Sequence, residues 1–227
     1  MKISCVIPAY NESKGIAAVL SAVTGAAHPL HEIIVVDDAS SDGTKEVVAG
    51  FPSVRLLVNE RNQGKSRSVA RGISESTGDF VLLLDADLLG ILACNIDALL
   101  EPILSNRADV VISMRANTPG WMKRLGVDFM SGERVLPRTL LMESLDEIAQ
   151  LRSFGLEVFL NRHIVRHRCR VESVLMENVK NHMKWYKRGF WSGIRHEILL
   201  WRDLLRTVSL WECVRQNFAM KKLLVHS

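Results

Sequence analysis

At 227 residues, 48% of them hydrophobic and 24% charged, the chain has the size and balance of an ordinary globular domain. It is long enough to bury a core without disulfides or a structural metal, and its composition excludes disorder, collagen-like repeats and low-complexity assemblies as whole-chain readings. The formal charge of +4 conceals an asymmetry: residues 1–150 hold 14 Lys and Arg against 19 Asp and Glu, net −5, whereas residues 151–227 hold 15 against 6, net +9. No apolar run approaches the ~20 residues that span a bilayer. Residues 1–5 read as the start of a strand, with Pro8 close behind and no small-residue cleavage site. Cys5, Cys94, Cys169 and Cys213 lie far apart, without a CxxC pair or Cys/His cluster. That spacing points to buried thiols in a reducing cytoplasm rather than to zinc or a disulfide framework.

In chain order, residues 3–8 form a β-rich apolar run, followed by Asn11-Glu12-Ser13 and a helical stretch over 15–23. Residues 31–37 contain Ile33-Ile34-Val35-Val36, a continuous apolar run of the kind found in strands covered on both faces. The turn-rich 38–43 and a short helix through Val47-Val48 come next, then a strand over 54–58, a polar helix over 64–76 and a strand over 80–84. A helix over 95–104 and a strand over 109–114 complete the regular part. Beyond it the pattern predicts a turn at 117–120, helices over 137–151 and 154–163, and a strand over 169–175. Strands alternating with helices at this spacing imply a mainly parallel sheet flanked by helices, because parallel strands need long crossovers.

In such sheets ligands bind beyond the carboxyl ends of the strands. Asn11 and Glu12, Asp37 and Asp38, and Asp85 and Asp87 all fall there, after the first, second and fourth strands. Crowded carboxylates repel unless a cation or hydrogen-bond donors are present. The sharpest of these features is Asp85-Ala86-Asp87, two hard oxygen donors one residue apart, suited to Mg²⁺ or Mn²⁺ bridging a diphosphate. On its own the triplet fits acidic strand ends equally well. Gly64-Lys65-Ser66 echoes the end of a phosphate-binding P-loop, but Asn59 stands where that loop needs glycine, and no GxGxxG follows the first strand.

Four segments carry a resemblance together: residues 6–12 (VIPAYNE), 32–44 (EIIVVDDASSDGT), 62–65 (NQGK) and 78–88 (GDFVLLLDADL). In this order and spacing the chain resembles a family 2 glycosyltransferase of the GT-A fold, and is most similar to the dolichol-phosphate mannose synthase-like branch. The resemblance is strong over 1–115, weaker over 116–180 and does not extend into the tail. It implies an α/β, Rossmann-like, mainly parallel central sheet with a C-terminal helical appendage. The implied activity is an inverting hexosyltransferase (EC 2.4) that uses Mg²⁺ or Mn²⁺ and a UDP- or GDP-sugar. By motif, Pro8, Ala9, Tyr10 and Glu12 would line the nucleotide pocket and Asp38 would accept a hydrogen bond from the base. Lys65 would lie near the nucleotide or its phosphates, Asp85 would contact ribose or ion, Ala86 would meet the nucleotide through its backbone, and Asp87 would ligate the metal. Without that context Tyr10 reads as a packed aromatic and Lys65 as a solvated lysine at a helix start.

Ser131-Gly132-Glu133-Arg134 resembles the Ser-Gly-Phe-Arg segment of polyprenyl-phosphate glycosyltransferases, with Glu133 as a departure. There the arginine sits near the acceptor phosphate, as suits a guanidinium that grips two oxygens. Glu157 falls where the family places an acidic residue facing the site. It is the candidate general base for a hydroxyl acceptor, or else a carboxylate at a helix N-terminus. Leu89 replaces a glutamine that helps hold the ion in the closest synthases, so water or diphosphate oxygens would fill that place.

The organisation is read as a glycosyltransferase domain over 1–178, with a nucleotide-binding half at 1–115 and an acceptor half at 116–178, and a basic tail over 179–227. The tail carries Trp185, Trp191, Trp201 and Trp211. Ile194, Ile198, Trp201, Leu205 and Val208 share one helical face, with Arg195, Arg202 and Arg206 elsewhere. Such a helix lies at a membrane surface, packs on a core or joins a dimer. The acceptor is a polyprenyl phosphate, another lipid-linked molecule or a small soluble one, which places the protein in the cytoplasm or at the inner face of its membrane. A nucleotidyltransferase would need a glycine-rich basic loop after the first strand, and a non-catalytic module would not need the intact acids. The basic excess is modest, mixed with apolar residues and free of any nucleic-acid motif, so nucleic acid is not expected as a partner.

Overall fold

The computed structural model describes residues 1–151, 155–181 and 210–225. Its centre is a seven-stranded sheet in the order β3-β2-β1-β4-β7-β6-β8. The strands are β1 (Ile3–Ala9), β2 (Glu32–Asp37), β3 (Val54–Val58), β4 (Phe80–Leu83), β6 (Val110–Arg115), β7 (Arg134–Pro137) and β8 (Val171–Met176). β1 pairs in parallel with β2 and β4, β2 with β3, and β6 with β8. Only β7 runs the other way, antiparallel to both β4 and β6. The sheet is therefore mixed and mostly parallel, as the strand–helix alternation predicts.

Both faces are covered, which is why the strands read as unbroken apolar runs rather than alternating ones. Side chains still alternate between the faces. Cys5, Ile7 and Val35 pack with Ile16 and Leu20 of α1 (Ile16–Thr24) and with Ile96 and Leu99 of α4 (Ala93–Leu104). Val6, Val81 and Leu83 face the opposite layer, formed by Val69 and Ile73 of α3 (Lys65–Glu75) and Leu156 and Leu160 of α8 (Gly155–Arg166). A short α2 (Thr44–Ala49) leads into β3.

The second half differs from its sequence expectation in three places. The single helix expected over 137–151 is a strand end followed by α6 (Arg138–Met142) and α7 (Leu145–Gln150). Arg134–Pro137 fills the gap between β4 and β6, and four residues are too few for a pattern to declare a strand. The turn expected at 117–120 leads directly into α5 (Gly120–Leu125), with Pro119 as its capping residue. Finally, the two-residue strands β5 (Leu88–Leu89) and β9 (Lys180–Asn181) pair antiparallel to each other. Gly90 lets them approach: its φ is +74°, and a Cβ there would lie 2.3 Å from the carbonyl oxygen of Asn178. The stretch after Asp87 is thus tied to the start of the basic tail.

α9 (Leu210–Lys221) packs against α8, and Met220 is buried. Val171 and Leu224 form a parallel bridge at the sheet edge. The apolar face expected from Ile194 to Val208 lies outside the described residues.

Candidate active site

The carboxyl ends of β1, β2 and β4 lie side by side, because these strands are neighbours in the sheet. The loop after β1 is stitched to the loop after β2. The backbone amides of Asn11, Glu12 and Ser13 donate to Ser40 Oγ (2.9 Å), Thr44 Oγ1 (2.9 Å) and Asp42 Oδ2 (3.1 Å). In return, Ser41 N donates to Asn11 Oδ1 at 2.9 Å. Burial works against ionisation of Asp42, but the bonds from Thr44 and Ser13 outweigh it and draw its pKa down to about 2. At the end of β1, Pro8 is partly exposed and Ala9 buried, while Tyr10 is 48% exposed.

Asp38 is buried and bound by its own chain. Its Oδ1 accepts from Asn59 Nδ2 (2.7 Å) and Gln63 N (2.9 Å), and its Oδ2 accepts from Gly64 N (2.7 Å). The carboxylate therefore sets the course of the loop that delivers Lys65, the first residue of α3.

Lys65 reaches across the site. Its Nζ lies 2.6 Å from Asp85 Oδ1 and 3.3 Å from Glu157 Oε1, linking the end of β4 to the first turn of α8. Burial would lower the pKa of the ammonium, but Asp85 and Glu157 outweigh that and hold it above the ordinary lysine range. Glu157 is 6% exposed, and its Oε2 has no hydrogen-bond partner. Gly132 roofs the pair, since a Cβ there would sit 2.9 Å from Asp85 Oδ2 and 3.2 Å from Lys65 Nζ. Ala86 is buried, with partly exposed Asp85 and Asp87 on either side of it.

Arg134 points away from this opening. Its surface is fully buried, and its three nitrogens donate inward to Ser131 O (2.6 Å), Asn161 Oδ1 (2.7 Å) and Phe129 O (2.8 Å). Sequence reasoning missed the arginine that does face the acids. Arg115, at the carboxyl end of β6, donates to Glu133 Oε1 at 3.1 Å. Burial would lower its pKa, but the fields of Glu133, Asp128, Asp85 and Asp87 outweigh it and raise the pKa above the usual arginine value. The signal was present in the sequence: Arg115 directly follows the strand expected over 109–114, at the carboxyl end where ligands bind.

Among the described residues no group of three or more His, Cys, Asp or Glu is placed to hold a metal ion. The hard oxygen donors that the end of β4 offers are the carboxylates of Asp85 and Asp87, on either side of the buried Ala86. Lys65 on Asp85 is the compensating charge in the structure as it stands.

The family model for glycosyl transferase family 2 matches residues 4–134. Two curated relatives show the range of similarity. The undecaprenyl-phosphate 4-deoxy-4-formamido-L-arabinose transferase of Aeromonas hydrophila subsp. hydrophila is 37% identical over 132 residues, covering 54% of this chain and 40% of that one. Glycosyltransferase AglE of Haloferax volcanii is 36% identical over 91 residues, covering 37% of this chain and 30% of that one. The chain thus matches two fifths or less of the length of these relatives. Among solved structures, glucosyl-3-phosphoglycerate synthase from Mycobacterium tuberculosis in complex with Mn²⁺, UDP and phosphoglyceric acid superposes with a TM-score of 0.69. It shares 20% identity, and the match covers 91% of this chain and 78% of that one. A complex of the same synthase with Mg²⁺ and UDP gives a TM-score of 0.64 at 22% identity, covering 80% of this chain and 71% of that one. At these identities the likeness shows the fold.

Proposed function

The chain belongs to glycosyl transferase family 2, and from that premise we propose that it moves a sugar from a UDP- or GDP-sugar to a polyprenyl phosphate, with inversion at the anomeric carbon. The observation that carries this reading is the placement of Asp85-Ala86-Asp87 at the end of β4 with Lys65 paired to Asp85 and Arg115 within the field of both acids. A nucleoside diphosphate is a dianion or more and leaves readily only when its charge is neutralised. Asp85 and Asp87 would hold Mg²⁺ or Mn²⁺, which when bound supplies that neutralisation. Pro8, Ala9, Tyr10 and Glu12 would line the nucleoside pocket, and Asp38 accepts from the loop that leads to Lys65.

An oxygen of the acceptor phosphate attacks the anomeric carbon from the face opposite the leaving group. The new C–O bond forms as the bond to the diphosphate breaks, and the nucleoside diphosphate departs with the electron pair. A phosphate nucleophile is already ionised and requires no base. Glu157 then serves to fix Lys65, and Arg115, rather than the inward-turned Arg134, is the guanidinium available to the acceptor phosphate. One observation favours a second reading with a hydroxyl acceptor on a small soluble molecule. The buried Oε2 of Glu157 has no hydrogen-bond partner, which leaves that oxygen available to a hydroxyl of the acceptor.

The basic, tryptophan-bearing segment beyond Lys180 starts from β9, which is paired to the strand after Asp87. We place it against an anionic bilayer at the cytoplasmic face as a peripheral contact. No helix among the described residues is long and apolar enough to cross a membrane. One experiment addresses both acceptor and surface. The full chain, Mn²⁺ and labelled UDP- or GDP-sugars are incubated with anionic vesicles containing undecaprenyl phosphate and then floated. Label in the vesicle lipid, with protein in the floating fraction, is expected. Label on a water-soluble product, with protein left at the bottom, would overturn this reading in favour of the soluble acceptor.

A further inference from the structure

Glu133 is a carboxylate with none of its surface in water. A buried charge of this kind persists only where partners compensate it, since removing one from water costs several kcal/mol. Its partners come from two directions. Oε2 accepts from Ser113 Oγ at 2.7 Å and from Ser131 Oγ at 2.8 Å, and those two hydroxyls lie 2.6 Å apart. Oε1 accepts from Arg115 Nη1 at 3.1 Å. The backbone adds a fourth tie, because Ser113 N donates to Glu133 O at 3.0 Å. The carboxylate is thus fixed at both oxygens before any substrate arrives.

Arg115 is held at its other end as well. Its backbone amide donates to Thr118 Oγ1 at 2.9 Å, and Thr118 Oγ1 donates to Asp128 Oδ2 at 2.6 Å. The guanidinium makes its direct ion pair to Glu133, and the fields of Asp128, Asp85 and Asp87 also reach it. An arginine released from Glu133 would be drawn toward those other carboxylates, two of which are the proposed metal ligands.

We propose that Glu133 is a positioning residue: anchored by Ser113 and Ser131, it holds Arg115 off Asp85 and Asp87 and keeps its guanidinium set for the phosphate of the acceptor. This inference rests on the reading of a phosphate-bearing acceptor given above. It adds that acceptor recognition in this chain depends on a buried ion pair rather than on Arg134. The ligand chemistry is a phosphate monoester, which a lipid headgroup and a free metabolite both present.

The test is calorimetry on the full chain with Mn²⁺ and saturating UDP, using farnesyl phosphate and 3-phosphoglycerate as separate probes. Whichever probe binds the wild type identifies the source. Glu133→Gln is expected to weaken that probe about tenfold while leaving the affinity for UDP with Mn²⁺ within about twofold. Arg115→Met is expected to weaken it at least as much, and the double variant no further than Arg115→Met alone, because Glu133 acts through Arg115. Ser113→Ala removes one anchor and no charge, and is expected to weaken the probe about threefold, which keeps the test open if Glu133→Gln folds poorly. Equal binding by Glu133→Gln and the wild type, additive effects in the double variant, or parallel losses of UDP and phosphate affinity would each overturn the inference while leaving the acceptor reading in place. Failure of both probes to bind the wild type would overturn the acceptor reading, and this inference with it.

Discussion

Replacing Asp87 with alanine is expected to lower sugar transfer about a thousandfold, the scale reached when an enzyme loses a principal stabiliser of transition-state charge. The side chain is partly exposed and lies in the turn beyond β4, between the buried Ala86 and Leu88. Asp85→Ala differs in kind, because it also releases Lys65 from its 2.6 Å ion pair and leaves that ammonium to Glu157 alone. The rate of nucleoside diphosphate release at saturating Mn²⁺, read beside the thermal midpoint, separates loss of chemistry from loss of structure. Transfer by Asp87→Ala within tenfold of the wild type would remove this residue from the proposed ion site.

Arg134→Ala is expected to act on stability first. The substitution strands the carbonyl oxygen of Ser131 and Asn161 Oδ1 in a dry interior, leaves Phe129 O to Asn161 Nδ2 alone, and removes a charge whose field reaches Glu157, Asp128 and Glu133. Leaving buried acceptors unsatisfied costs about 1–3 kcal/mol each, which for a chain of this size is roughly 10 °C in thermal midpoint. Arg134→Lys should recover only part of this, because an ammonium cannot match three acceptors held in a planar fork. Thermal unfolding of the three proteins measures it. An unchanged midpoint with lost affinity for a phosphate acceptor would show instead that the guanidinium turns outward to substrate.

That contrast marks the limit of what the sequence can carry. Residues 31–37 and 80–84 declare themselves as strands because both faces are covered, so their apolar runs owe nothing to a distant partner. The acids at their ends follow from the strand ends, and with them Asp38, Asp85 and Asp87. The four-residue β7 and the paired dipeptides β5 and β9 exist only because a sheet gap or a neighbouring strand receives them, and no local pattern announces such a pairing. A motif likewise gives a residue type but not its direction. Arg134 stands in the matching place and yet faces the interior, while Arg115 and the buried Glu133 supply the ion pair beside the acids. Asp38 shows the same gap: the motif marks the residue, whereas its commitment to Asn59, Gln63 and Gly64 depends on a loop twenty-odd residues away.

The charge asymmetry has a structural counterpart. The net −5 of residues 1–150 includes the carboxylates gathered at the strand ends, which Lys65 on Asp85 and Lys45 near Asp37 compensate only in part from within the segment. The basic segment after 181 begins from a strand paired to the residues that follow Asp87, so its point of departure lies beside the proposed donor site.

The most direct measurement of the central claim is release of nucleoside diphosphate from a panel of UDP- and GDP-sugars, with Mn²⁺ or with chelator, in the presence and absence of undecaprenyl phosphate. The account predicts that at least one donor is consumed only when Mn²⁺ is present and that the lipid phosphate accelerates its consumption. Consumption that persists undiminished in chelator, or no consumption of any donor with Mn²⁺ and acceptor both supplied, would contradict it.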